Sequence, residues 1–334
     1  MIPIAKPYIG DEEIKAVTEV LKSGIIAQGP KVRELEEKFA KFCGTKYAIT
    51  TNSGTAALHT AMHVAGIKQG DEVITTPFTF IATANTILMQ QAKPVFADID
   101  EETFNIDPEK IAEKITDKTK AIETVDLYGQ PCDYGSINEI AKNNNLIVIE
   151  DACQAVDAES NGKKAGNFGD IAAFSFYATK NITCGEGGII TTNNEDFAQN
   201  AKLFRQHGRS KMTSYEYTNL GYNYRMTDLC AVIMLQQLKK IDFITKKRIE
   251  NAEYLSKELE KIKGIKAPRI GKDNSHVFHQ YTIRIQDNFK LNRDELVEHL
   301  SKKGVGTGVY YPKPLHLLEH FKKFGYKEGD FPVA

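Results

Sequence analysis

Lys180 stands in the stretch "FSFYATKNITCGEGG", between an aromatic β-rich run and a glycine-rich turn. A lysine held beyond a strand end among apolar residues has its ammonium form disfavoured by desolvation. It is then a better nucleophile toward a carbonyl. Read alone, Lys180 could equally be a snorkelling surface cation. Asp151 ends the apolar run of "VIEDACQA", at the carboxyl end of an expected buried strand, just where open α/β sheets bind ligands. A carboxylate there needs a cation or hydrogen-bond donors, and a helix cap or a structural ion pair would satisfy it as well. Ser53, Gly54 and Thr55 open an expected helix. Free N–H groups, the helix dipole and two hydroxyls favour an anion there, although Ser is also an ordinary N-cap.

Together the three features ask for one ligand with an anionic group, a basic ring nitrogen and an aldehyde. Pyridoxal 5'-phosphate carries all three. Its ring also needs an aromatic cover. In "TPFTFIATAN" Phe80 is the expected cover, with Phe78 as the local competitor and core packing as the ordinary role of either.

The elements that must hold these residues alternate along the chain. Ile14, Val17 and Leu21 recur at helical spacing, with Asp11 as the expected N-cap and Gly24 as the stop. Val32, Leu35, Phe39 and Phe42 form a second stripe, closed by Gly44. The runs "DEVITT", "KPVFADI", "KAIETVDLYG", "NLIVIEDA", "DIAAFSF" and "GGIITT" read as strands, most separated by helical segments such as "DPEKIAEKI" and "YGSINEIAKNNN". This predicts an α/β fold with a mixed, mostly parallel sheet. The last three strands lie too close together for crossover helices, so part of the sheet is expected to be antiparallel. From about residue 228 a long charged helical stretch leads away. A smaller α/β unit follows, with "FHQYTIRI" as a strand and "NRDELVEHLSKKG" as a helix. The boundary is placed at 1–235 for the large unit and 236–334 for the small one.

Composition removes several classes. With 43 basic and 44 acidic side chains among 334 residues, there is no charge excess to attract nucleic acid or an anionic membrane. No 18-residue apolar run is present to span a bilayer. The five cysteines are odd in number and form no C-x-x-C pair, which fits neither a disulfide framework nor a four-cysteine zinc site. Cys184 is expected to be a small buried side chain. A cytoplasmic protein without a structural metal is expected.

The motifs "NSGTAAL", "TPFTFIATAN", "DLYGQP", "VIEDACQA", "FGDIAAFSFYATKN", "GEGG" and "GYNYRM" occur in that order. This set closely resembles the DegT/DnrJ/StrS family of pyridoxal-phosphate sugar aminotransferases, which have the aspartate aminotransferase (type I) fold. The resemblance runs from "SGIIAQGPKVRELEEKFA" to "HQYTIRI" and "GVYYPKPLH". It implies that Lys180 binds the cofactor aldehyde and that Asp151 pairs with the ring nitrogen. Gln154 would lie near the ring hydroxyl, Phe80 on the ring, and Gly54, Thr55 and Ser175 at the phosphate. Asn223 would reach the phosphate of a neighbouring subunit, so a homodimer with a shared active site is implied. The implied reaction moves an amino group from an amino acid, glutamate by expectation, to a nucleotide-linked keto-sugar in surface polysaccharide or glycan precursor synthesis. Gln28, Glu186, Arg225, Tyr310, Tyr311 and His316 are the expected substrate contacts, and Arg225 or Lys313 would suit a diphosphate.

Two departures stand out. Val156 and Asp157 occupy positions where the family often has His-Gly, with an expected effect on sugar fit. The chain ends at "EGDFPVA", some tens of residues before the family's usual end, so a truncated small unit is expected. Two rival readings are a sugar dehydrase on the same fold and a non-catalytic regulator. Dehydrating relatives carry histidine in place of the aldehyde-binding lysine, and the set of Lys180, Asp151 and Gln154 argues against both.

Overall fold

Short β-branched runs alternate with amphipathic stretches through the first 200 residues, and most adopt the element their period predicts. The computed structural model describes residues 1–210 and 215–334. Helices α1 (Asp11–Ser23) and α2 (Pro30–Cys43) open the chain. They are followed by β1 (Tyr47–Thr51), α3 (Gly54–Val64), β2 (Glu72–Thr75), α4 (Ala82–Met89), β3 (Lys93–Phe96), α5 (Pro108–Ala112), β4 (Thr119–Val125), α6 (Tyr134–Asn143) and β5 (Ile147–Asp151). A tight hairpin, β6 (Glu159–Ser160) and β7 (Lys163–Lys164), precedes β8 (Ile171–Ser175), β9 (Gly188–Thr192) and α7 (Glu195–Arg205). Then come α8 (Asp228–Lys239), α9 (Ile241–Leu259), β10 (Ile265–Lys266), β11 (Asn274–Ser275), β12 (Arg284–Ile285) and α10 (Arg293–Lys302).

Seven strands form one sheet in the order β1-β9-β8-β5-β4-β2-β3. From β8 to β3 every pair is parallel. β9 runs antiparallel to both of its neighbours, as the short gap before it requires. Alternation along each strand divides the core in two. Ile74, Val148 and Ile189 face one side, with Val32, Leu35 and Phe39 of α2. Val73, Ile149 and Ile190 face the other, with Leu58 and Met62 of α3. Phe39 meets Phe174 and Phe176 edge-on, at centroid distances of 5.1 and 5.6 Å. Full burial of such a side chain contributes about 1.5–3 kcal/mol. With helices on both faces, the open places are the strand ends.

Gly24 and Gly44 end α1 and α2 in the left-handed region, at φ 73° and 72°. At the start of α1 the cap is Gly10. Asp11 is the first helical residue, and the Glu13 carboxylate accepts the Gly10 N–H at 2.8 Å. The charged stretch after 227 breaks into α8 and α9 at Lys240, whose ammonium donates to buried Glu13 at 2.8 Å.

The C-terminal region departs from its sequence pattern in two places. "FHQYTIRI" alternates like a strand, yet β12 pairs at Arg284–Ile285 alone. Upstream, the Val277 and Gln280 N–H groups donate to the carbonyls of Gly129 and Tyr128 at 2.9 and 3.3 Å. The segment is bonded to a turn beside the sheet instead of to another strand. The tail beyond residue 314 returns to the large sheet. Phe321, Tyr326 and Phe331 surround Phe96 of β3, and the Val333 N–H donates to Asp98 at 3.1 Å. Among the described residues no helix is long and apolar enough to cross a membrane, and no cluster of His, Cys, Asp and Glu could hold a metal ion. All five cysteines are free, and Cys184 is buried.

Candidate active site

Three elements converge beyond the carboxyl ends of the parallel strands: the end of β5, the end of β8 and the start of α3. Between them lies a cleft of about 460 Å³, lined by Ser53, Gly54, Thr55, Asp151, Ser175 and Lys180 together with Phe80, Gln154, Glu186, Tyr310 and Tyr311. Eleven of the expected site residues therefore share one cavity.

At one end, Ser53 caps α3, its Oγ accepting the Ala56 N–H at 3.1 Å. A Cβ on Gly54 would stand 2.7 Å from Ser175 Cβ and 3.1 Å from Ser175 Oγ. A Cβ on Gly188 would stand 2.3 Å from the Ser53 carbonyl oxygen. Neither glycine can accept a side chain without backbone movement. The close approach puts the N–H groups of α3 beside the hydroxyls of Ser53, Thr55 and Ser175, a donor set suited to a phosphate.

Asp151 lies at the centre and is 5% exposed. Its Oδ2 accepts the Thr83 hydroxyl at 2.8 Å and its Oδ1 accepts the Cys153 N–H at 3.1 Å. Burial pushes its carboxyl above the usual range, opposed by these donors and by the positive charge of Lys180. Lys180 opens partly to the cleft, but the surrounding protein lowers its ammonium pKa against the pull of Asp151. A depressed lysine and a buried carboxylate in one cavity are the marks of a reactive site. Gln154 is fixed on both sides: Oε1 accepts the Tyr128 N–H at 2.8 Å and Nε2 donates to Tyr311 Oη at 3.3 Å. Phe80 is 56% exposed over the cleft. Its competitor Phe78 turns away to pack on Phe104 and Tyr311.

Four expected residues are outside this lining. Gln28 and Arg225 do not reach the cavity. Asn223 is exposed on the surface, its carbonyl accepting Asn52 Nδ2 at 3.4 Å. His316 corrects its expected role as a substrate contact: it is 2% exposed and meets the Phe331 ring edge-on at 4.7 Å. The returning tail covers it, and burial lowers its pKa. The departure at 156–157 also lies away from the cleft. Val156 belongs to the main core, and Asp157 takes a left-handed φ of 75° and pairs with Lys164. The expected effect of these two positions on sugar fit has no contact to carry it.

Several contributors escaped the sequence reading: Thr83, Tyr128, His279, Gln280, Ile4 and Ala5. His279 lies in "FHQYTIRI", whose alternation predicts a strand and hides a cleft-lining role. Thr83 is a single hydroxyl in a helix, and Tyr128 acts through its backbone at φ 59°, so neither leaves a signal in residue type.

The sheet and its strand-end cleft define an α/β enzyme with a cleft lysine beside a buried carboxylate. Comparison with known proteins is specific. The DegT/DnrJ/EryC1/StrS aminotransferase family model matches residues 7–334. The spore coat polysaccharide biosynthesis protein SpsC of Bacillus subtilis is 42% identical over 346 residues, spanning 100% of this chain and 89% of SpsC. The pleiotropic regulatory protein of Geobacillus stearothermophilus is 42% identical over 339 residues, spanning 100% and 89%. GDP-perosamine synthase of Caulobacter vibrioides is 40% identical over 319 residues, spanning 95% and 86%. Among solved structures, the aminotransferase from Psychrobacter cryohalolentis superposes with a TM-score of 0.93 at 36% identity, covering 99% of this chain and 90% of that one. Spr1654 of Streptococcus pneumoniae in its PLP form gives 0.93 at 28%, covering 99% and 90%. The chain belongs to the DegT/DnrJ/EryC1/StrS family, whose enzymes are pyridoxal-phosphate-dependent sugar aminotransferases.

Proposed function

We propose that this chain moves an amino group from glutamate to a keto-sugar carried on a nucleoside diphosphate, for a surface polysaccharide or glycan precursor. The observation that carries this reading is the single cleft holding Lys180 and Asp151 beside the Gly54–Ser175 cradle. The close approach of Gly54 to Ser175, which any side chain at 54 would obstruct, and the hydroxyls beside it suit the phosphate of pyridoxal phosphate. Asp151 suits its protonated ring nitrogen, Phe80 its ring, Gln154 its hydroxyl side and Lys180 its aldehyde. When bound, the cofactor supplies the electron sink that makes the donor's Cα–H acidic.

The chain's own residues do the rest. Lys180, its amine favoured by burial, takes the proton from the donor's α-carbon. In the second half-reaction it returns a proton to the sugar carbon that receives nitrogen. Asp151, held by Thr83 and the Cys153 N–H, keeps a proton on the ring nitrogen opposite it. Glu186, Tyr310 and Tyr311 border the cleft and contact the sugar. Asn223, exposed on the surface, would contact the phosphate site of a second copy in a homodimer. The curated likeness to a pleiotropic regulatory protein favours one second reading, a regulator that keeps the cofactor site.

The test is direct. The full chain is loaded with pyridoxal phosphate, reduced with borohydride and mapped by peptide mass, which should place the cofactor on Lys180. It is then given glutamate with 3-keto and 4-keto sugars on guanosine, uridine and thymidine diphosphates. The guanosine series comes first because of the GDP-perosamine synthases among its relatives. An amino-sugar in the mass spectrum supports the reading. Labelled Lys180 without any amino-sugar favours the regulator, and no label on Lys180 overturns both.

A further inference from the structure

Residues 1–5 precede α1, and the last two of them reach the cleft. The Ile2 N–H donates to the Gly304 carbonyl at 2.7 Å, and the Gly306 N–H donates to the Ile2 carbonyl at 2.8 Å. These bonds make a parallel bridge between Ile2 and Val305. The seat beneath this segment is a glycine run, "VGTG" at 305–308, whose glycines the site chemistry leaves unexplained. A Cβ on Gly306 would stand 3.0 Å from the Ile2 carbonyl oxygen and 3.1 Å from the Ile4 nitrogen. A Cβ on Gly308 would stand 2.5 Å from the Tyr310 ring and 2.9 Å from Ile4 Cδ1. The run therefore lets the N-terminal segment lie flat against it.

The segment is held at its other end too. The Tyr8 carbonyl accepts Gln237 Nε2 of α8 at 2.8 Å, and Glu13 accepts the same group at 2.8 Å. Between these anchors, Ile4 and Ala5 come to line the cleft that contains Lys180. Ile4 stays 56% exposed there, the same fraction as Phe80. The deep end of the cleft offers hydroxyls, amides and charge. The strap offers an isoleucine side chain and a methyl group, neither able to hydrogen-bond. Such a surface matches the C–H face of a sugar ring and gives nothing to a phosphate or a carboxylate.

We propose that residues 1–5 form a sugar-facing wall of the cleft, with Ile4 and Ala5 on the C–H face of the sugar ring and Gly306 and Gly308 as the seat that holds them. Ile4 is then a specificity residue for the second half-reaction and is silent in the first. The proposal rests on the sugar reading given above.

The two half-reactions separate the possibilities. The full chain loaded with pyridoxal phosphate is compared with Ile4→Ser, Ile4→Val and Gly306→Val, whose new side chain would meet strap atoms alone. Release of 2-oxo acid from glutamate, measured without sugar, should stay within about twofold in all of them. For the nucleotide keto-sugar, KM should rise about tenfold in Ile4→Ser, the scale of one apolar contact in a pocket. Its kcat should hold within about twofold, and Ile4→Val should restore most of the loss. Gly306→Val should raise KM likewise by unseating the strap, with thermal unfolding reporting whether its fold is kept. In hydrogen exchange, the peptide spanning residues 1–10 should gain protection when the nucleotide sugar is added. An Ile4→Ser enzyme whose sugar KM stays within twofold overturns the wall, as does an equal loss in both half-reactions. A wild-type chain that aminates no keto-sugar overturns the sugar reading itself, a result seen before any strap variant is made.

Discussion

Glu150 and Asp151 are adjacent on β5, and the pleat sends them to opposite sides of the sheet. Both are buried, at 0% and 5% exposure, and burial pushes both carboxyls up. Their surroundings differ. Glu150 accepts three backbone N–H groups of one loop, from Gly166 at 2.5 Å, Phe168 at 3.0 Å and Gly169 at 3.3 Å. Asp151 is held by one backbone N–H and one threonine hydroxyl, faces a cavity and feels a lysine. A raised carboxyl pKa therefore does not by itself identify the working group. The Glu150 region is closed around its acid, whereas the Asp151 region is left open for a ligand.

The sharpest way to break this contrast is at Lys180. Lys180→Ala should reduce amino-sugar formation by about 10³-fold or more, because it removes both the covalent anchor and the proton carrier. Product is counted by mass spectrometry. Turnover near wild type would place the chemistry elsewhere. Asp151→Asn comes next. The amide keeps the shape but cannot pair with a ring N–H⁺, so kcat should fall by about 10²-fold, measured under saturating cofactor. A loss of twofold or less would make Asp151 as structural as its neighbour.

Thr83→Val sharpens the same contrast from the side of the donor. Valine keeps the volume but removes the hydroxyl that Asp151 Oδ2 accepts at 2.8 Å. A hydrogen bond to a charged group contributes about 1.5–3 kcal/mol, so kcat should fall by roughly 10- to 100-fold. If steady-state kinetics showed no change, the Cys153 N–H would be enough to hold Asp151.

What could be read beforehand follows from how local each feature is. Lys180, Asp151 and Ser53–Thr55 sit where strands end or a helix begins, and the period of the flanking residues marks those places. The mixed, mostly parallel sheet was legible for the same reason, but not which of its last three strands turns over: β5 and β8 are parallel despite the missing crossover helix, and β9 alone is antiparallel to its neighbours. Thr83 was not, because one threonine in "FIATAN" looks like any other. Tyr128 contributes through a left-handed backbone that is bonded to residues 277–280, about 150 positions away in sequence. His316 has the composition of a binding residue, and its fate depends on Phe331, which returns to β3 and covers it. Ile4 could not be placed until the glycine track beneath it was known. For Thr83, Tyr128 and Ile4 the deciding partner is distant in the chain, and for His316 the nearby Phe331 acts only because it packs on distant Phe96.

The smallest expected effect lies on the closed side and shows in stability more than in rate. Glu150 is pushed up to about 7, chiefly by burial, whereas an unfolded glutamate titrates near about 4.3. Between those values the native state binds more protons than the unfolded chain. Unfolding free energy must then fall as pH rises through that window, and the contribution from this group is fully present only below it. The expected loss is on the order of 3–4 kcal/mol at most. Glu150→Gln removes the titration and keeps one oxygen for the loop N–H groups. At low pH it should cost about 1 kcal/mol for the mismatched donor, while its melting temperature should change less steeply with pH than the wild type's. Amino-sugar kcat should stay within about twofold, since Glu150 faces the loop at 166–169. Equal pH slopes in the two proteins would show that Glu150 is ionised in the native state, with its three backbone donors outweighing its burial. A large loss of kcat would instead tie the two faces of β5 together and remove the distinction between its two acids.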